Sequence, residues 1–308
     1  MDSKLHISVS PHIRCPRNTQ HIMADVLIAL LPATVAGIVL FGLSALWVVL
    51  TCVATSVFCE FLFNVLVKKD QTVGDLSAAV TGLLLALNLS ANIPLWQAAV
   101  GSVFAIVIVK CMFGGIGCNM VNPAITARVF MLVAFSSVAT AAFPPDAVST
   151  ATPLAQLEAG TVPDLLDLFL GNVGGAIGET CVPALLIGGL YLVARRVIRW
   201  QLPIAFIATV FVFTFAVTQD ATVALAHVLS GGLMIGAIFM ATDYVTSPPT
   251  VGGKIVFGIG AGIITVLIRL WGNYPEGVSF AILLMNILNP FIEQWTTRKV
   301  FGLGGKKA

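Results

Sequence analysis

One stretch of this sequence, 146–153, carries three hydroxyl side chains and one carboxylate within eight residues. It reads Asp-Ala-Val-Ser-Thr-Ala-Thr-Pro and separates two long blocks of almost unbroken apolar sequence. A hydroxyl oxygen can accept a hydrogen bond from the free N–H groups at a helix start, and proline fits the first helical position. Judged from its neighbours alone, Thr152 before Pro153 therefore predicts a helix cap.

A second stretch, 113–123, combines three glycines with two asparagines. Its residues of interest, together with the lysine just before it, are Lys110, Gly114, Gly115, Gly117, Asn119 and Asn122. Glycine lets the backbone approach a planar or anionic group closely, and asparagine offers donors and acceptors without net charge. The stretch lacks the lysine and hydroxyl that end a phosphate-binding loop. Two interpretations stay open, the edge of a ligand pocket and a tight turn between helices.

The acidic residues near apolar runs are the next candidates, because a carboxylate in hydrocarbon costs several kcal/mol. Glu60 lies deepest and is the candidate for an ion pathway, although its position toward Lys68 also predicts contact with water. Asp25 lies at the entry of an apolar run, and Glu179 and Asp220 are expected at the extracytoplasmic surface. A single buried His227 is expected to pack rather than to bind a ligand.

The six cysteines have no two-residue spacing of the kind that metal knuckles and redox dithiols use. In apolar runs a thiol behaves as a small hydrophobic group. We expect free packed thiols and no metal site within this chain. The alternative is a metal or iron–sulfur ligand that the chain shares with a partner.

Composition decides which elements hold these residues. The chain has 308 residues, of which 58% are hydrophobic and 10% charged, with a mean hydropathy of +0.99. This composition excludes a soluble protein and predicts an all-α polytopic membrane protein, with the lipid bilayer as its main surroundings. No basic run interleaved with aromatic residues indicates nucleic acid as a partner. We predict ten spans, near 24–42, 45–67, 76–90, 97–113, 123–141, 177–196, 202–218, 223–241, 254–271 and 278–295.

Lysine and arginine placement predicts the orientation of these spans. With a cytoplasmic N-terminus, every basic residue except Arg269 falls at a cytoplasmic end or loop, and the loop 142–176 has no basic residue. That loop is therefore expected outside. The predicted regions are a cytoplasmic leader 1–23, a first five-helix repeat 24–141, the extracytoplasmic loop 142–176, a second repeat 177–295 and a cytoplasmic tail 296–308.

The two predicted five-helix blocks resemble one another. Thr81-Gly82 matches Ser230-Gly231, Gly101 matches Gly258, and the first span of each block contains a proline. An odd number of spans in each repeat inverts the second repeat relative to the first, as in many transporters. The third span of each block ends in polar residues and proline, at 88–94 and 242–249, which predicts broken helix ends or ordinary turns.

These residues resemble a known family, the one that contains the D subunit of the Rnf electron-transport complex and the B subunit of the sodium-translocating NADH:quinone reductase. The resemblance runs from about Ser8 to Lys299 and is most specific in Asp-Ala-Val-Ser-Thr-Ala-Thr at 146–152. It includes Phe-Gly-Gly-Ile-Gly-Cys-Asn-Met-Val-Asn-Pro-Ala at 113–124 and Phe-Met-Ala-Thr-Asp at 239–243. The brief leader and the Ser-Thr-Ala-Thr-Pro sequence favour the Rnf members. Tyr244 departs from the proline expected there.

The resemblance implies a covalent cofactor. Thr152 would carry FMN through a phosphoester, and a flavin transferase would recognise Asp146, Ser149 and Ala151. A second, non-covalent flavin such as riboflavin is expected near Lys110, Gly114, Gly115, Asn119 and Asn122. The flavin performs the electron transfer and the protein positions it, so no catalytic side chain is predicted.

The resemblance also implies partners and a place in the cell. The chain would work with the other membrane and peripheral subunits of a complex that transfers electrons between ferredoxin and NAD, coupled to translocation of Na⁺ or H⁺. The membrane would be the inner membrane of a prokaryote. Two other interpretations stay open: a channel or carrier for small solutes without redox chemistry, and a scaffold without a cofactor.

Overall fold

The computed structural model describes residues 18–135, 152–272 and 277–297. Their regular elements are thirteen helices and a short 3-10 helix at Val73–Asp75, which confirms the expected all-helical membrane protein. Several helices expose large apolar side chains over their outer faces, as with Val39 at 76% and Leu66 at 72% exposure. Such surfaces fit a lipid environment, because water-soluble monomers rarely expose contiguous apolar patches.

The first block contains five helices. They are α1 Thr19–Phe41, α2 Leu43–Val67, α3 Ser77–Leu87, α4 Leu95–Cys111 and α5 Pro123–Ala134. Within α4, the part Phe104–Cys111 is wound as a π-helix. Gly42 joins α1 to α2 with φ +74°, a conformation that glycine adopts without strain.

The second block contains five membrane-type elements after two short helices. The short helices are α6 Pro153–Glu158 and α7 Leu165–Leu170. The elements that follow are α8 Val182–Ala194, α9 Gln201–Thr218, the pair α10 Ala221–Leu229 and α11 Leu233–Met240, α12 Val251–Trp271 and α13 Val278–Thr296. Helices α10 and α11 are bent by 67° at their break.

Every predicted span contains a helix or a broken pair, but their lengths differ. Helices α1, α2, α9 and α12 are long and apolar enough to cross a membrane, and the α10–α11 pair is a fifth candidate. Helix α3 has only 11 residues, about 17 Å at a rise of 1.5 Å per residue. The ten-span count and the inverted order of the repeats stay predictions.

The helices pack in a pattern that matches the predicted repeat. The second helix of each block, α2 or α9, packs against the third and fourth elements of its own block. Equivalent helices meet between the blocks, α1 with α8 and α5 with α13. Two halves related by a twofold axis would bring equivalent helices together in this way, and the repeat itself stays a prediction.

Two predicted boundaries need correction. The span predicted from residue 177 begins as helix only at Val182, because the N–H groups of Ile177 and Gly178 donate instead to the carbonyls of Leu89 and Leu87. The predicted span 223–241 is broken at 230–232, in its interior, before the polar end at 242–249. Gly231 adopts φ +64° at this break.

Candidate functional site

A cavity of about 340 Å³ lies beside the stretch 113–123. We call it the Lys110 cavity. It is enclosed by parts of α1, α3, α4, α5, the end of α8 and the segment after α11. Its apolar walls include Val26, Val80, Leu84, Ile116, Leu192 and Phe239, and its polar side chains include Ser77, Thr81, Lys110, Asn119, Asn122, Thr242 and Asp243. An apolar pocket with a few convergent polar groups is typical of a cofactor site.

The cavity brings together three of the five residues predicted for a second flavin. Lys110, Asn119 and Asn122 line it, whereas Gly114 and Gly115 do not. Both glycines have positive φ and form the turn after α4, where the Gly115 N–H donates to the Lys110 carbonyl at 3.0 Å. They shape the loop, and Gly117 is the glycine that reaches the wall.

The two asparagines play different parts. Asn122 caps α5: its Oδ1 accepts from the N–H groups of Ala124 and Ile125, and its Nδ2 donates to the Met240 carbonyl at 3.3 Å. Its hydrogen-bonding groups are therefore engaged in holding α5 against α11. The Oδ1 of Asn119 is buried and has no hydrogen-bond partner among the described residues, so it is available to a bound group.

Lys110 is held in a buried ion pair. Its Nζ lies 2.7 Å from Glu60 Oε1, and both side chains are 2% exposed. The ammonium also donates to Ser77 Oγ at 2.5 Å. Glu60, the deepest of the predicted carboxylates, is thus paired with a cation from α4. Removing one partner of such a pair leaves a buried charge uncompensated.

Thr152 begins α6 as its sequence predicts. Its Oγ1 accepts from the Ala155 N–H at 3.3 Å, and Pro153 occupies the first helical position. The cap uses the oxygen as an acceptor and does not require the hydroxyl hydrogen. Asp146, Ser149 and Ala151, the predicted recognition positions, lie outside the described residues.

The break between α10 and α11 is the point where α6 meets the helix core. A Cβ atom added at Gly231 would lie 2.8 Å from Leu154 Cδ1. Arg269 donates to the carbonyls of His227 and Ser230, at 2.5 and 3.1 Å. A cation at the carbonyl end of a helix is stabilising, so Arg269 caps α10.

A second buried ion pair lies at this break, next to Gly232. Arg128 Nη1 is 2.8 Å from Glu179 Oε1 and also donates to Asn88 Oδ1 at the end of α3. Both charged side chains are at most 5% exposed. Glu179, which is expected beside the extracytoplasmic surface, and Arg128, which the charge pattern assigns to a cytoplasmic end, are therefore both buried within the protein. Their pairing compensates both charges.

The remaining acidic candidates are local structural groups. Asp25 binds the Tyr191 hydroxyl at 3.0 Å and Arg195 Nη2 at 3.2 Å, which joins α1 to α8. Asp220 caps α10, and its hydrogen bonds from Thr222 lower the pKa of its carboxyl. Among the described cysteines, Cys52, Cys59 and Cys111 are buried as expected, whereas Cys118 is exposed and Cys181 is half-buried.

Ser77 and Asp75 are site residues that sequence reasoning did not select. Ser77 starts α3, lines the Lys110 cavity and bonds Lys110 from a helix 33 positions earlier in the chain. The sequence signal was the pair itself, an aspartate two residues before a serine at a helix start, which is typical of a cap. That signal predicts local structure only.

Thr152 and the Lys110 cavity lie at opposite ends of α11. Leu154, two residues after Thr152, contacts the break just before α11, whereas Phe239 and Thr242 line the cavity at the other end. Helix α11 has eight residues, about 12 Å. The two candidate sites are thus separated by one short helix.

Comparison with known proteins identifies relatives over nearly the whole chain. The sequence profile of the NQR2, RnfD, RnfE family matches residues 6–302. The chain is 50% identical to the D subunit of the Na(+)-translocating ferredoxin:NAD(+) oxidoreductase complex of Acetobacterium woodii, over 97% of this chain and 96% of the relative. It is 42% identical to the D subunit of the proton-translocating ferredoxin:NAD(+) oxidoreductase complex of Clostridium ljungdahlii, over 96% of each. The D subunit of an ion-translocating oxidoreductase complex from Stutzerimonas stutzeri is 38% identical over 92% of each.

Proposed function

The chain belongs to the NQR2, RnfD, RnfE family, and we propose that it holds two flavins, one at each end of α11. It is a membrane subunit of an Rnf-type complex, which transfers electrons between ferredoxin and NAD and couples them to ion translocation. The observation that carries the proposal is the placement of Thr152 and the Lys110 cavity at opposite ends of one short helix.

Thr152 would carry FMN through a phosphoester on its Oγ1. Ester formation removes the hydroxyl hydrogen, which the α6 cap does not use, so attachment is compatible with the observed local structure. Leu154, 6% exposed against Gly231, fixes the start of α6 to the core. A flavin transferase would recognise Asp146, Ser149 and Ala151. Because the 142–176 loop has no lysine or arginine, we place this end outside the cytoplasm, with both termini inside.

The Lys110 cavity would hold the second, non-covalent flavin, such as riboflavin. Its volume of about 340 Å³ lies within the range of about 300–1,000 Å³ usual for cofactor pockets. Val80, Leu84 and Phe239 give apolar walls for a planar ring, and the buried Asn119 Oδ1 can accept a hydrogen bond from a ring N–H. When bound, the flavins supply the electron transfer itself.

The protein's own residues bind and orient these groups. Lys110 places a positive charge at the cavity wall, and Glu60 and Ser77 hold its ammonium there. Asn122 keeps the 113–123 loop against α11 through the Met240 carbonyl. We assign Glu60 to the ion pathway as well, because its second oxygen, Oε2, is buried and has no hydrogen-bond partner among the described residues.

The experiment is a flavin inventory of the full chain, purified from a prokaryote with an active flavin transferase. We expect one FMN on Thr152 by mass spectrometry of the peptide, and one flavin that is released on denaturation. Thr152→Val should lose the fluorescence of the denatured band and keep the released flavin. Thr152→Ser, which retains a hydroxyl, is the matched control for the cap.

Each half of the proposal fails separately. An unmodified Thr152, or an adduct that survives Thr152→Val, would contradict the covalent attachment. A washed chain that releases no flavin on denaturation would contradict the assignment of the cavity. A chain with neither flavin would favour a pore or a scaffold without redox chemistry.

A further inference from the structure

A hydrogen-bonded line of side chains connects the Lys110 cavity with the loop 68–76. Lys110 Nζ donates to Ser77 Oγ at 2.5 Å, and Ser77 Oγ donates to Asp75 Oδ1 at 2.5 Å. Burial decreases along this line: Lys110 is 2% exposed, Ser77 is 6% exposed and Asp75 is partly exposed. Lys110 and Ser77 both line the cavity, so the line runs from its wall toward the surface of the protein.

The hydrogen bond from Lys110 to Glu60 leads to a second line of side chains. Glu60 Oε1 accepts from Lys110 and from the Thr72 hydroxyl, at 2.7 and 2.9 Å, and Thr72 in turn accepts from Asn64 Nδ2 at 3.0 Å. An amide N–H₂ does not exchange a proton the way a carboxyl does, so no titratable group lies beyond Thr72 on this side among the described residues. Glu60 therefore fixes the position of the ammonium. Asp75 is the carboxyl group at the outer end of the hydrogen-bonded line through Ser77.

We propose that Asp75, Ser77 and Lys110 form a proton relay from the loop 68–76 to the group bound in the Lys110 cavity. The inference rests on the proposed flavin there. A flavin gains N–H bonds when it is reduced, so each bond needs a proton as well as electrons. The relay supplies that proton at the cavity wall.

The relay moves one proton from the solvent to the flavin for each N–H bond that forms. Electrons reach the bound flavin from the donor subunits of the complex, while an N–H bond forms on the flavin and an N–H bond breaks at Lys110 Nζ. Asp75, whose Oδ1 accepts from Ser77 at the start, first takes a proton from the solvent. The Ser77 hydroxyl then turns, gives its hydrogen to the neutral amine and takes the proton of the Asp75 carboxyl, which becomes a carboxylate again. One proton leaves the solvent, and the three side chains return to their starting states.

The test follows proton uptake in the full-length chain with Thr152→Val, so that only the cavity flavin is present. The chain is loaded with riboflavin and mixed with reduced methyl viologen, a one-electron donor that carries no proton. A pH-indicator dye in weakly buffered solution records proton uptake, and absorbance records flavin reduction. Ser77→Ala removes the central hydroxyl but keeps the Lys110–Glu60 pair. We expect it to slow proton uptake about a hundredfold, the lower end of what a positioned proton donor contributes.

Asp75→Asn is the second variant, because its amide oxygen can still accept the bonds from the Ser77 N–H and Oγ. Proton uptake should slow by a similar factor, and added azide, a small weak acid, should restore it. Asp70→Asn removes an exposed carboxylate from the same loop and is the matched control, with the original rate expected. Riboflavin content should equal that of the parent in Asp75→Asn and Asp70→Asn, because neither residue lines the cavity. For Ser77→Ala, which does line it, proton uptake is expressed per bound riboflavin.

The proton relay can fail independently of the flavin site in the Lys110 cavity. Equal uptake rates in Ser77→Ala, Asp75→Asn and the parent, at normal riboflavin content, would overturn the relay and leave the cavity assignment standing. Equal slowing in Asp70→Asn would also overturn it, because surface charge alone would then explain the effect. A parent chain that binds no riboflavin would overturn the cavity assignment and the relay together.

Discussion

The two ends of α11 offer a bound flavin very different surroundings. At the Thr152 end the structure provides a helix cap, one apolar anchor at Leu154 and the broken backbone at Gly231. At the other end it provides a walled cavity with a buried cation and several polar side chains. The two proposed flavins would therefore be held differently. A phosphoester would hold the one at Thr152 through a covalent bond, whereas the Lys110 cavity would hold the other by burial.

The largest effect is expected from Lys110→Met. It should abolish flavin binding in the Lys110 cavity and leave FMN attachment at Thr152 intact. The substitution leaves Glu60 buried without its partner, a change that typically costs about 3–5 kcal/mol. We expect a strongly lowered midpoint of thermal unfolding in detergent and no releasable flavin. The double variant with Glu60→Gln removes both charges and should recover most of the midpoint. A double variant no more stable than Lys110→Met would show that the pair is not the cause.

Val26→Phe should fill part of the Lys110 cavity and leave the Thr152 site unchanged. Val26 lines the cavity on α1, so a larger ring competes with a bound flavin for the same volume. We expect most of the releasable flavin to be lost while FMN on Thr152 stays unchanged, as measured by flavin content before and after denaturation. Val35→Phe, at a position 57% exposed on the same helix, is the matched control. Equal loss in both variants would contradict the assignment.

Gly231→Ala should affect the opposite end. Gly231 has φ +64°, which costs an L-residue about 1–2 kcal/mol, and the added Cβ would meet Leu154. We expect α6 to shift, which should increase protease cleavage near Thr152 and lower the fraction of chains carrying FMN. Releasable flavin should not change. Leu154→Ala removes the opposing atom and should relieve part of the steric effect in the double variant.

The smallest effect is expected from Arg195→Gln. Arg195 pairs with Asp25 beside the cavity, but its side chain is 48% exposed, so water screens the pair. Such pairs contribute at most about 1 kcal/mol. Both flavin contents should remain at the level of the unmodified chain, with a small decrease in the unfolding midpoint. A loss of releasable flavin as large as that of Val26→Phe would assign a direct role to this pair.

Local sequence predicted many of these features. The Thr152–Pro153 cap, the positive-φ glycines after α4 and the polar group of Lys110, Asn119 and Asn122 each follow from residues close together in the chain. The family, the all-helical fold and the electron-transfer function were predicted and are confirmed. The flavin attachment on Thr152 stays a prediction.

The ion pairs could not be predicted, because each joins segments far apart in the chain. Glu60 meets Lys110 across 50 positions, and Arg128 meets Glu179 across 51. Hydropathy and charge counts treat such residues as separate, so the positive-inside rule assigned Arg128 to a cytoplasmic end without a partner. The interior break at 230–232 was likewise missed, since Ser-Gly-Gly inside an apolar run has no proline or charge to mark it.

Because part of α4 is a π-helix, the Lys110 cavity depends on how many residues this segment contains as well as on which residues they are. A π-turn contains about one residue more than an α-turn, so side chains after it point about 100° away from the direction that an unbroken α-helix would give them. Lys110 lies within the segment Phe104–Cys111. A homologue that keeps a glutamate and a lysine at matching positions but lacks one residue in this segment would aim its lysine elsewhere. The length of α4 before Lys110 therefore matters for the Lys110–Glu60 pair as well as the identity of the two charged residues.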